Sequence, residues 1–170
     1  AQSFLAARVI SQFGSEAVQA AWLPRIASGE ALVVLAHQER RARYRLDICE
    51  SKASQTPDGY ALTAQKSIVP AGDQADAYLV PAQLDGQIAL FLVERSAPGV
   101  SAHGYGTQDG SRAAEVETDG SPATLITTEG LAALELAVDV GSAAVCAEAV
   151  GVMEEVLRIT ADYLNQRKQF

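Results

Sequence analysis

Residues 58–80 read DGYALTAQKSIVPAGDQADAYLV, two strand-like runs around a turn, and this stretch limits the fold more than any other. Asp58-Gly59 is a hairpin-turn dipeptide, and Tyr60, Leu62, Ile68 and Val69 supply half-buried strand positions. Pro70-Ala71-Gly72-Asp73 breaks the run, because proline has no N–H for a ladder and glycine frees the next turn. A strand resumes over 77–81.

The flanking sequence extends this into a sheet. Residues 31–36 (ALVVLA) are continuously apolar over a strand's length and fit a strand buried on both faces, although periodicity alone leaves a helix open. Residues 37–47 are polar without an apolar period and read as a loop, and 48–53 alternate as a half-exposed strand does. After the Asp85-Gly86 turn, 88–93 (IALFLV) form a buried strand. Weaker strands at 103–105, 113–118 and 123–126 are separated by Asp109-Gly110 and Asp119-Gly120 turns. Strands punctuated this often, with no helices between them, predict an antiparallel barrel or sandwich and an α+β chain.

Helices occupy both ends. Phe4, Leu5, Val9, Ile10 and Phe13 are helically spaced and Gly14 ends that segment. Ser15 caps a second helix from Glu16, which carries Trp22 and Leu23 and is predicted to stop before Pro24. Residues 129–168 place Leu131, Leu134, Val138, Val145, Ala149, Val152, Val156, Ile159 and Tyr163 on one stripe. That is an amphipathic helix too long to stand alone. Its Ala- and Gly-rich middle lets a partner helix approach closely, and that partner must come from sequence outside these residues or from another subunit.

Composition narrows the function. A formal charge of −8 argues against nucleic acid, whose phosphates need a basic surface. Cys49 and Cys146 have no metal-ligand spacing and read as buried free thiols of a reduced, cytoplasmic protein. No run looks apolar enough for a membrane span, and no signal peptide opens the chain. The chain starts and stops within helical patterns, so a fragment is expected. No phosphate loop, metal motif or nucleophile elbow is present. His37 and His103 read as surface or structural histidines, and Glu148 as part of a solvated helix face. Arg40, Arg41, Arg43 and Arg45 form the sharpest cluster. They are either an anion-binding loop for a coenzyme's phosphates or a solvated loop paired with acids such as Glu39 and Asp47.

Taken in order, several short pieces resemble the middle of an acyl-CoA dehydrogenase over the whole chain. They include Gly14-Ser15-Glu16, Trp22-Leu23-Pro24, Ser28-Gly29-Glu30, Glu39, Asp58-Gly59-Tyr60, Gln65-Lys66 and Ala75-Asp76. Further pieces are Phe91-Leu92-Val93, Pro98-Gly99-Val100, Glu148-Ala149-Val150-Gly151, Tyr163 and Arg167-Lys168-Gln169-Phe170. Gln38-Glu39-Arg40, Arg43-Tyr44, Lys66-Ser67 and 107–110 are most similar to the small subunit of pimeloyl-CoA dehydrogenases.

The resemblance implies the end of an N-terminal helical domain over 1–30, a middle β domain over 31–127, and the first helix of a C-terminal bundle over 128–170. It implies an FAD-dependent oxidoreductase of fatty acid metabolism that introduces an α,β double bond into an acyl-CoA, a pimeloyl-CoA-like dicarboxylyl thioester being one candidate. Leu35, Ala36, His37 and Gln38 fall in the segment that lines the flavin. Ile68, Val69 and Pro70 fall where a Trp-Ile-Thr or Trp-Ile-Ser run packs on the isoalloxazine and donates a hydroxyl to N5. Arg167, Gln169 and Phe170 match the motif that reaches the FAD of a neighbouring subunit, which implies a homo- or hetero-oligomer. Tyr44 falls where a serine touches CoA, and Arg41 and Arg43 are expected to contact its phosphate or a distal carboxylate. Electron-transfer flavoprotein or a similar acceptor is the implied partner. The catalytic base is expected beyond Phe170, because Gly141 stands where one subfamily places its glutamate. Pro70 has no hydroxyl and Ile68 stacks less than tryptophan, so a non-catalytic partner subunit is the alternative.

Overall fold

In the computed structural model, which describes residues 2–169, two helices lead into a seven-stranded sheet and a much longer helix leaves it. α1 (Gln2–Phe13) ends at Gly14, and α2 (Glu16–Ser28) begins under the Ser15 hydroxyl, which accepts the Val18 N–H. Contrary to the expected stop, α2 runs through Pro24 and ends at Gly29, whose left-handed conformation suits a residue without a Cβ. Proline removes the hydrogen bond to the Ala20 carbonyl. Both residues are exposed, so water replaces it.

β4 (Ala77–Leu84) pairs along its length with β5 (Gln87–Glu94), and β5 pairs with the end of β7 (Arg112–Thr127). On its other edge β7 pairs with β3 (Gly59–Pro70), β3 pairs with β2 (Lys52–Thr56), and β2 returns to β4 through Lys52 and Gln83. The ring closes as a mainly antiparallel barrel. β1 (Val33–Leu35) adds to β4 in parallel, and β6 (Val100–Gly106) adds to the first half of β7.

Two expected boundaries move. The segment before Lys52 is not a strand, because the Glu39 carboxylate takes the Glu50 and Ser51 N–H groups that a ladder would use. Asp119-Gly120 is not a turn either: β7 continues through it. Gly120 has a φ of 60° where the strand changes partner, with β6 ending opposite Thr118 and β5 joining at Thr124. The Gly120 N–H goes instead to the Thr63 hydroxyl.

The strands bury two cores. Leu62, Tyr78, Val80, Phe91 and Val116 fill the barrel. Val9, Ile10, Trp22, Leu79, Leu92 and Leu134 lie between the barrel and the helices. β4 serves both, as expected of a strand covered on two faces.

α3 (Gly130–Gln166) docks through Gly130, Ala133, Leu134 and Ala137, with α1 alongside as far as Gly141. From residue 145 to 169 every position is exposed. The single stripe expected there proves incomplete. Val150, Met153, Leu157 and Leu164 form a second apolar row, roughly 100° around the helix at 3.6 residues per turn. α3 is also long and apolar enough to cross a membrane by length and composition, at a mean hydropathy of 1.6, which corrects the estimate from runs of apolar residues. Cys146 lies on this exposed part and is not buried.

Candidate functional site

Below the exit of β1 lies a closed ionic network. In β3, Leu62 and Ala64 point into the barrel, and alternation carries Lys66 to the same apolar side. A lysine there needs an acid. Its Nζ donates to Glu39 Oε1 at 2.6 Å and to the Pro81 carbonyl at 2.9 Å, with the Lys66 side chain 1% and the Glu39 side chain 5% exposed. Glu39 also accepts from the Ser51 hydroxyl at 2.6 Å and from the Glu50 and Ser51 N–H groups. Burial alone would raise the Glu39 carboxyl, but the Lys66 charge and these donors override it and hold it at about 2. Burial raises the adjacent Cys49 thiol to about 11 despite the opposing pull of Lys66. A thiol raised in this way stays protonated and is a poor nucleophile near neutral pH. Sequence reasoning names Glu39 and Lys66 but misses their pairing. The signal was available: a lysine two positions from Ala64 on an inward face.

This network fixes the next residues. Ser67 donates its N–H to the Gln38 carbonyl at 2.8 Å, so the ends of β1 and β3 meet. Segments 35–38 and 68–70 therefore lie together. Leu35 and Ala36 are buried, with the Ala36 N–H on the Leu79 carbonyl. His37 and Gln38 are half-buried, and their backbone N–H groups have no protein acceptor among the described residues. Burial, and then the Lys66 charge, lower the His37 pKa and favour a neutral ring.

Ile68 is the irregular residue here. The β3–β7 register shifts between Lys66 and Val69, leaving Ile68 outside the ladder with φ 52° and 50% exposed. A β-branched residue in that region carries strain on the order of 1–3 kcal/mol. Its N–H points to Glu115 Oε1 at 3.4 Å. Glu115 also accepts the Tyr105 hydroxyl at 3.3 Å and faces the Arg40 guanidinium at 3.6 Å. No sequence pattern signals this cluster, because it joins three strands and the loop after β1. Val69 turns its side chain into the barrel core, whereas Pro70 is exposed.

An open cleft of about 1070 Å³ adjoins this corner, with Glu39, Arg40, Lys66, Ser67 and Glu115 in its walls. Of the arginine loop, Arg40 lines this cleft. Arg41 pairs with Glu50 at 3.3 Å and Arg45 with Asp47, while Glu39, one expected partner of the loop, is taken by Lys66. Arg43 has a φ of 52° and no acid partner among the described residues. Tyr44 is 95% exposed. Far along α3, Arg167 folds back on the Tyr163 ring, Gln169 is exposed, and Phe170 lies outside the described residues. Glu148 and His103 are both exposed.

No family model matches the chain. It is 30% identical over 169 residues to acyl-CoA dehydrogenase FadE27 of Mycobacterium tuberculosis, covering 98% of this chain and 43% of that protein. The structure superposes on one chain of the ChsE4–ChsE5 complex from Mycobacterium tuberculosis with a TM-score of 0.79 and 29% identity, over 99% of this chain and 46% of the other. A glutaryl-CoA dehydrogenase from Mycobacterium smegmatis in complex with FADH2 gives a TM-score of 0.89 at 25% identity, over 97% and 45%. The chain thus spans less than half the length of these relatives.

Proposed function

Because this chain belongs to the acyl-CoA dehydrogenase family by sequence and by fold, we propose that it is the central part of a subunit of an FAD-dependent enzyme that introduces an α,β double bond into an acyl-CoA. The observation that carries the reading is the Ser67–Gln38 hydrogen bond. It sets the ends of β1 and β3 side by side and presents two N–H groups, unpartnered among the described residues, beside an exposed Ile68.

That surface fits one edge of a flavin: His37 and Gln38 offer donors and Ile68 an apolar contact. It does not fit at Pro70, which offers neither hydroxyl nor N–H. A bound FAD would supply the acceptor for the hydride that leaves the β carbon. This chain's own residues bind and orient, and none of them is assigned as the base. Arg43, which has no acid partner among the described residues, is the candidate of this reading to meet the anionic end of the substrate, either a CoA phosphate or the distal carboxylate of a dicarboxylyl group.

The exposed end of α3 supports an oligomer, in which Arg167 and Gln169 would meet a neighbouring subunit; electron-transfer flavoprotein is the acceptor this reading proposes. Although α3 passes the length and composition test for a membrane helix, we read it as a bundle helix, because its docked first turns and the long superpositions belong to one fold.

Pro70 favours a second reading, in which the subunit keeps the fold, binds flavin weakly or not at all, and supports a catalytic homologue. One preparation separates the two. Full-length protein with a visible flavin band that reduces on adding acyl-CoA is the outcome expected of the enzyme. Colourless protein that takes up no added FAD would leave the supporting role.

A further inference from the structure

We infer that Glu115 is a positioning residue that fixes the Ile68 corner and ties it to the loop after β1. This deepens the reading above, since it rests on Ile68 facing the bound cofactor. The bulge between Lys66 and Val69 removes Ile68 from the β3–β7 ladder, so no strand takes its N–H. A β-branched residue rarely holds a φ of 52° unless its surroundings impose it. The Glu115 carboxylate, on the outward face of β7 between buried Ala114 and Val116, supplies the constraint. It accepts the Ile68 N–H at 3.4 Å and the Tyr105 hydroxyl at 3.3 Å, and it pairs with Arg40 at 3.6 Å.

Three independent segments therefore converge on one carboxylate: the β3 bulge, β6, and the loop that follows His37 and Gln38. Tyr105 holds the carboxylate from one side and Arg40 from the other. Ile68, with its N–H held by Glu115, presents its side chain to solvent beside the N–H groups of residues 37 and 38, which have no protein acceptor among the described residues. Without this hold, the bulge is free to relax to an unstrained conformation and the apolar contact leaves the site.

The test uses the full-length protein and residue-resolved amide hydrogen exchange. Glu115→Ala is expected to speed exchange at Ile68 at least about tenfold, the effect of losing one hydrogen bond to a charged group. Amides in β4 should not change. Glu115→Gln, which still offers an acceptor oxygen, should keep most of the Ile68 protection. With FAD added, the Ala variant should displace the visible flavin band and the Gln variant restore it. Unchanged Ile68 exchange in the Ala variant would overturn the assignment, as would equal loosening of all of β3 and β7 in both variants. If the protein takes up no FAD, the exchange result still decides the role of Glu115, and it is the proposed function that falls.

Discussion

Lys66 Nζ sits 2.6 Å from Glu39 Oε1 with both side chains closed to solvent, and this pair is the hinge between the barrel and the loop carrying His37 and Gln38. Removing one member leaves the other charged and buried. Lys66→Met or Glu39→Leu alone should lower stability by about 3–5 kcal/mol, and the double variant should recover most of it. Urea unfolding of the three variants measures this, and single variants as stable as the parent would contradict it.

The same pair sets an acid limit. Glu39 is held at about 2 when folded, against 4.5 ordinarily. The folded value is the depressed one, so the stabilisation is complete above pH about 4.5 and is lost as pH falls from there towards 2. Its size is roughly 3 kcal/mol, from a shift between two and three pH units. Unfolding midpoints across that range should fall steeply in the parent and more gently in Glu39→Leu.

Much of this was readable in the residues, and what was not has identifiable causes. β1, β4 and β5 follow from uninterrupted apolar runs, and the β6–β7 turn from Asp109-Gly110. Asp119-Gly120 misled because the same dipeptide that makes a turn also permits a bulge. Which one forms depends on Thr63 and on the exchange of β6 for β5 across the barrel. Residues 48–51 carry a strand's alternation, yet a carboxylate eleven positions away takes the Glu50 N–H. The second apolar row on α3 was hidden because Val150, Met153, Leu157 and Leu164 fall between the larger steps of the first. At the site, the meeting of segments 35–38 and 68–70 was inferred from resemblance. The β6–β7 hairpin brings Tyr105 to Glu115, but only the folded sheet adds Ile68 of β3 and Arg40 of the loop after β1.

The exposed α3 residues imply association. At 17.9 kDa the 170-residue chain should sediment as more than a monomer. Leu157→Glu with Leu164→Glu should return it to the monomer without changing thermal unfolding of the barrel, since both side chains are 68–70% exposed. A monomeric parent chain would show that this helix needs no cover.

The loop arginines should differ in effect. Arg43→Ala is expected to weaken acyl-CoA binding by roughly three- to tenfold, as for one charge-assisted contact at an exposed site. Arg41→Ala should change it less, because Arg41 is already engaged by Glu50 at 3.3 Å. Calorimetric titration of the full-length protein distinguishes them, and equal affinities for both variants and the parent would remove the loop from the site.

Pro70 offers the sharpest contrast between catalysis and support. It ends β3 opposite Ala113, is exposed, and has no group to donate, while the N–H of the next residue, Ala71, is taken by the Arg112 carbonyl. Restoring a hydroxyl with Pro70→Thr also restores an N–H, at a position exposed to solvent. In an enzyme that lacks this donor, the substitution should tighten FAD binding and raise the rate of flavin reduction, by up to about a hundredfold if the new donor reaches developing charge. In a supporting subunit there is no flavin for the hydroxyl to meet, and FAD affinity should stay as low as in the parent. Thermal unfolding controls for the backbone change, because losing a proline acts largely through the unfolded chain and shifts stability by about 1 kcal/mol. A tighter flavin at unchanged stability therefore assigns the gain to the donor itself, and with it a flavin-facing role for the end of β3.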